Sequence, residues 1–202
     1  MHNFLEPTPF AGRLVIIGFG AVAQGVLPLL FRHLTLRPEQ VRIITADACG
    51  IEEATAYGVG HRILPLSCGN YREIMTPLVG PGDFVLNLAV NVSSVALIEF
   101  CRERGALYLD ASIEPWEGGY TDPALTPSAR SNYALREQAK ALNVPGGPTA
   151  VLTHGANPGW VSHFVKQALL DLARDCGMCA VVPGDRQGWA RLAQALAIKD
   201  GR

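Results

Sequence analysis

At 202 residues, 49% of them hydrophobic and 17% charged, the chain can form one large domain, or one domain plus part of another, around a substantial core. Its net charge of -1 offers no general attraction to nucleic acid or to an anionic membrane, and both are excluded as expected partners. The opening MHNFLEPTPF lacks the basic and apolar regions of a targeting signal, and no apolar run reaches membrane-span length, so a cytoplasmic protein is expected.

Taken in chain order, residues 13–18 (RLVIIG) read as a buried parallel strand, being short, continuous and rich in branched apolar residues. A helix from Ala21 to His33, a turn at Arg37-Pro38-Glu39 and a strand Val41–Thr45 follow. Further strands are expected at 61–66, 83–89, 106–110 and 149–153, with helices at 51–57, 69–78, 93–104 and 130–142. Gly105 closes the helix at 93–104. After Pro158-Gly159, helical stripes of apolar residues mark 160–174 and 187–198.

Strands alternating with helices predict an α/β fold, a Rossmann-like doubly wound, mostly parallel sheet with only the start of a second domain. The expected division is a nucleotide-binding domain over 1–148, then a last strand and helices over 149–202 that lead into a truncated substrate domain. Ligands of such sheets bind beyond the carboxyl ends of the strands, where strand order reverses. Those ends are Gly18, Thr45 to Asp47, Ala89 to Asn91, Asp110 to Glu114 and His154 to Asn157.

The stretch GFGAVAQG, residues 18–25, stands between the first strand and the first helix. Gly18 permits a tight turn, Gly20 lets the backbone approach a pyrophosphate, and Ala23 supplies the small third residue that helix–sheet packing requires. Together with Phe19, Ala21 and Val22, whose amides open the helix, these residues are the expected cofactor-binding turn. A glycine turn that serves packing alone is the alternative.

The second half of such a fingerprint is an acid after strand two. Asp47 has the spacing, and no arginine follows it directly to receive a 2′-phosphate, so NAD is expected rather than NADP. Thr45 occupies the earlier strand-end position, and Asp47 has the alternative role of capping the helix that starts near Ile51. Ala89, Val90 and Asp110 complete the expected cofactor set; Asp110 can approach the nicotinamide ribose or fix its own loop.

Five cysteines, at 49, 68, 101, 176 and 179, are an odd number without framework spacing, and unpaired thiols are expected. Cys176 and Cys179 have metal or redox spacing, but they lack two further zinc ligands and follow a helical run rather than a strand. No metal site is predicted.

Four longer stretches, NLAVNVSS (87–94), YLDASIEPWEGGYTDP (108–123), RSNYALRE (130–137) and HGANPGWVSHFVKQAL (154–169), resemble the bacterial homospermidine synthases of the saccharopine dehydrogenase-like group. The similarity runs from Leu14 to Ile198 and covers the N-terminal portion of that family's longer chain. It implies an NAD-dependent transfer that couples two putrescines, or related diamines, with release of ammonia and internal return of a hydride. It also implies a homo-oligomer in the full-length form.

On that resemblance Glu114 pairs with a substrate ammonium, where it is otherwise an exposed loop glutamate. Asn157 offers an amide oxygen to an amine or braces the nicotinamide, where it is otherwise a turn or cap residue. Asn91 stands where the family has an aspartate, so a hydrogen-bond acceptor is kept and a charge is lost. Trp116 offers a cation–π face or packs, and His154 and His163 shuttle protons or are simply hydrogen-bonded. Two other readings remain: a saccharopine- or carboxynorspermidine-type dehydrogenase, which calls for an Arg/Lys carboxylate clamp, and a nucleotide-binding module that performs no chemistry.

Overall fold

Leu14–Ile17 (β2) is buried at every position, which requires a sheet covered on both faces. In the computed structural model, which describes residues 6–155, 159–178 and 181–198, β2 lies between Val41–Thr45 (β4) and Phe84–Asn87 (β6), parallel to both. Gly60–Ile63 (β5) extends the sheet beyond β4, and Leu107–Asp110 (β7) and Ala150–Val151 (β8) extend it beyond β6. The spatial order is β5-β4-β2-β6-β7-β8, all parallel. This is the doubly wound dinucleotide-type arrangement, whose switch point lies between β2 and β6.

Successive strand residues point to opposite faces, so β2 contributes to two cores. Leu14 and Ile16 pack with Ala23 and Leu27 of Ala21–His33 (α1) and with Ala54 of Ile51–Ala56 (α2). Val15 and Ile17 pack on the other face with Tyr71 and Met75 of Tyr71–Met75 (α3), Leu97 and Phe100 of Ser94–Arg104 (α4), and Ala139 of Asn132–Ala141 (α5). The Ser93 hydroxyl accepts the Ala96 amide and starts α4, and Gly105 at φ +69° ends it, as the glycine predicts.

Boundaries shift from the sequence reading for local reasons. β5 ends at Ile63; the Leu64 amide still reaches the Thr45 carbonyl at 2.8 Å, but Pro65 has no N–H to continue the ladder. α3 begins only at Tyr71, because Asn70 folds back to accept the Ser67 amide and donate to the Pro65 carbonyl. A small parallel pair, Thr8–Pro9 (β1) with Leu34–Thr35 (β3), has no counterpart in the sequence reading, since two-residue strands carry no periodicity.

The chain divides into two compact units, Met1–Thr153 and His154–Arg202. β8, grouped with the second part in the sequence reading, is thus the outer strand of the first unit. The second unit contains Val161–Asp175 (α6) and Arg186–Ala195 (α7), which touch each other, with Lys166 lying 5.5 Å from the centre of the Trp189 ring. Among the described residues, no helix is long and apolar enough to cross a membrane.

Candidate functional site

A groove of about 700 Å³ opens over the carboxyl ends of β2, β4 and β6, at the switch point. Gly18, Phe19, Gly20, Thr45, Asp47, Ala89, Val90 and Asn91, eight of the residues singled out from the sequence, all line it. They meet because three parallel strands end at one level: Ile17 is level with both Ile44 and Asn87.

The two glycines differ in environment. Gly18 has φ +82°, donates its amide to the Ile44 carbonyl at 2.8 Å, and lies so close to β6 that an added Cβ would stand 2.8 Å from the Ala89 Cα. A Cβ on Gly20 would meet nothing within 4 Å. Gly18 therefore serves the fold, and Gly20 leaves free space at the mouth of the groove.

The first intrahelical bond of α1 runs from the Gln24 amide to the Gly20 carbonyl at 3.0 Å, so the amides of Ala21, Val22 and Ala23 precede the helical ladder. Such amides and the helix dipole suit an anion. Ala23 itself is buried against the sheet, as expected for the small third residue, whereas the Val22 side chain is exposed; neither lines the groove.

Asp47 is exposed at the end of β4, and its Oδ1 accepts the Cys49 amide at 2.9 Å. It does not cap α2, whose N-cap is Gly50 without a side-chain bond. Thr45 is buried below it, its Oγ1 3.5 Å from the Asp47 amide. No lysine or arginine lines the groove among the described residues, while Asp47 and Glu117 do. The field there suits a cation or a ribose diol better than an extra phosphate.

Asp110 ends β7. It is buried, accepts the Thr153 amide at 2.9 Å and the Tyr108 hydroxyl at 3.3 Å, and does not line the groove. Asn87, level with Asp110 on β6, donates to the Tyr108 oxygen at 3.2 Å. Desolvation raises the Asp110 carboxyl above its ordinary range against these hydrogen bonds, and burial raises the Tyr108 phenol more strongly. This network holds the end of β7 and fits the loop-fixing alternative.

Glu114 stands half-buried in the loop that Asp110 starts. Its backbone is clamped on α4 by two bonds: its amide donates to the Ser94 hydroxyl at 3.0 Å, and its carbonyl accepts the Ser94 amide at 2.9 Å. Its carboxylate accepts the Ser112 hydroxyl at 2.8 Å. Two residues later Trp116 leans on Tyr71, with ring centres 5.2 Å apart, and also lines the groove. Asn91 adopts φ +60°, a left-handed conformation that asparagine tolerates. Asn157 lies outside the described residues.

His154 and His163 come together in the second unit, Nε2 to Nε2 at 2.9 Å, one ring donating to the other, with Trp160 edge-on to both. The sequence reading passed over Cys49, Glu117 and the segment from Leu64 to Cys68, which also line the groove. Sequence spacing tests cysteines only for disulfide, metal and redox pairs, and Leu64 to Leu66 fall within the strand expected at 61–66. No cluster of three or more metal-ligating side chains exists among the described residues.

Comparison with known proteins agrees with this architecture. Residues 14–151 match the family model described as "Saccharopine dehydrogenase NADP binding domain". The chain is 48% identical over 193 residues to a homospermidine synthase of Blastochloris viridis and 39% identical over 195 residues to one of Mesorhizobium japonicum. In each case the match covers 93% of this chain but 40% of the relative, so the chain spans about two fifths of the length of these curated relatives. A crystal structure of a homospermidine synthase from Legionella pneumophila in complex with NAD superposes with a TM-score of 0.74 at 39% identity, over 94% of this chain and 39% of that one. With the family model matching well over half of its length, the chain belongs to the saccharopine dehydrogenase NADP-binding domain family.

Proposed function

We propose that the groove at the β2/β6 switch point holds NAD and that this chain forms the cofactor-binding part of an enzyme coupling two putrescines into homospermidine. The observation that carries the reading is the contrast between the glycines: Gly18 is forced by packing on Ala89, whereas the space in front of Gly20 is unused by the protein. A pyrophosphate fits there, against Gly20 and the opening amides of α1.

When bound, NAD supplies a hydride acceptor that can also return the hydride. Asp47 holds the ribose hydroxyls through the oxygen that Cys49 leaves free, and Ala89 and Val90 form the wall beside the cofactor. Glu114, clamped on Ser94, offers a negative charge to a diamine, and Asn91 offers an uncharged acceptor. The Asn87–Tyr108–Asp110–Thr153 network positions the loop that carries Glu114. Support for the diamine comes from the homospermidine synthases that this chain resembles.

One observation favours a second cofactor: the matching family model is described as NADP-binding. Asp47 and the absence of cations along the described groove argue for NAD, because a 2′-phosphate would sit beside a carboxylate with no partner. Calorimetric titration decides between them. NAD is expected to bind the 202-residue chain at least ~10-fold more tightly than NADP, a difference of about 1.4 kcal/mol. Tighter NADP would reverse the assignment.

The reaction is tested by mass spectrometry of the chain incubated with NAD and isotopically labelled putrescine. Labelled homospermidine with released ammonia and no net NADH is the expected result. NAD binding without product would leave a nucleotide-binding module as the reading for this chain.

A further inference from the structure

We propose that the thiols of Cys49 and Cys68 form a modification site inside the groove, at which a mixed disulfide and a bound dinucleotide exclude each other. The proposal rests on the dinucleotide reading above and adds a covalent competitor to it. Both thiols are free and exposed, and both line the groove although 18 residues separate them in sequence.

Cys49 is tied to both halves of the fingerprint. Its amide donates to the Asp47 carboxylate at 2.9 Å. Its Sγ lies 3.6 Å from the Gln24 Nε2, and that same nitrogen donates at 2.9 Å to the Phe19 carbonyl in the glycine turn. The backbone next to it has little room to yield, since a Cβ on Gly50 would stand 2.6 Å from the Phe19 ring and 2.7 Å from the Gln24 Nε2. A substituent on the Cys49 sulfur therefore projects into the groove or the solvent at its mouth, and it displaces the Gln24 contact. Cys68 lines the same groove from the loop after β5, beside Ser67, so a substituent there also takes up space in it.

The chemistry is thiol–disulfide exchange with a low-molecular-weight disulfide, such as oxidised glutathione. The Cys49 thiol gives up its proton to solvent, and its sulfur attacks one sulfur of the disulfide. A new S–S bond forms as the old one breaks, and the departing half takes up a proton and leaves as the thiol. The protein sulfur is oxidised and the departing half is reduced, so no other oxidant is needed.

Two other cysteines provide internal references. Cys101 is buried, and desolvation pushes its thiol up to about 12, so it resists exchange in the folded protein. Cys176 is exposed on the second unit and does not line the groove, so it reports general reactivity.

The test treats the 202-residue chain with oxidised glutathione, with and without saturating NAD, and follows each cysteine by peptide mass mapping. In parallel, the NAD-induced rise in melting temperature is measured before treatment, after it, and after reduction with dithiothreitol. The expected result is modification of Cys49 and Cys68 slowed at least ~10-fold by NAD, Cys176 modified at one rate in both conditions, and Cys101 untouched. Glutathionylated protein loses the NAD-induced shift, reduction restores it, and Cys176→Ser behaves as the parent. Equal modification of Cys49 with and without NAD, while the shift persists, overturns the proposal and leaves the dinucleotide reading intact. Absence of any NAD-induced shift in untreated protein overturns both, and the melting curve alone separates that case from the first.

Discussion

Gly18 and Ala89 are in back-to-back contact where β2 and β6 end, with room for no side-chain carbon on the glycine. The contact closes the floor of the groove at the switch point and leaves Gly20 free at its mouth. The two glycines of one motif thus carry separable loads.

Substituting them separately should show this. Gly18→Ala, strained at φ +82° and clashing with backbone, is expected to destabilise the chain by about 1–3 kcal/mol in urea unfolding. Gly20→Ala, at φ -74° in open space, should cost about 0.5–1 kcal/mol, the loss of a good N-cap residue, yet weaken NAD binding ~10-fold or more. Equal loss of stability in both variants would contradict the division.

Asp83 is a buried structural anchor away from the groove. Its carboxylate accepts the Arg13 amide at 2.7 Å and the Gly80 amide at 2.8 Å, and pairs with the Arg13 guanidinium at 2.8 Å. Asp83→Ala leaves two backbone amides without their acceptor and should cost about 3 kcal/mol in equilibrium denaturation. Arg13→Ala, at a half-exposed partner, should cost about 1 kcal/mol.

Asp110 gives stability a pH dependence of unusual sign for a carboxylate. Its folded value is raised by burial, so the native state holds its proton more tightly than the unfolded chain. The resulting stabilisation is fully present below the ordinary value of 3.8 and is lost as pH rises through the raised folded value. Asp110→Asn should remove this fall, which chemical denaturation at a series of pH values from 4 upward will read. An unchanged pH profile would remove Asp110 as its source.

Asn91 combines a backbone demand with a charge question. At φ +60°, Asn91→Val is expected to cost about 1–2 kcal/mol, and Asn91→Gly close to nothing, by thermal unfolding. Asn91→Asp, which the same backbone accepts, restores the acid expected from the family resemblance. Calorimetry in the presence of NAD should then show several-fold tighter putrescine binding.

Much of the fold was legible because its signals are local. A four-residue run without a polar side chain, Leu14 to Ile17, requires cover on both faces, and Ser93 and Gly105 mark the ends of α4 by their own backbone preferences. The glycine spacing, Ala23 beneath α1 and the acid after β4 were likewise readable. Sequence alone leaves Asp110, a strand-end acid, between a ribose contact and a loop-fixing role; the Thr153 amide 43 residues away and the Tyr108 hydroxyl draw it into a buried network.

The sequence by itself determined the helices and the six strands of the main sheet to within a few residues, because side-chain periodicity and turn chemistry act over short spans; the two-residue strands β1 and β3 lay below that signal. Only the tertiary structure decided that β2 and β6 lie side by side, that Gly18 touches Ala89 and that Cys49 and Cys68 share one groove. Those relations depend on strand order and register between remote segments, which are set by packing of the whole sheet rather than by any local pattern.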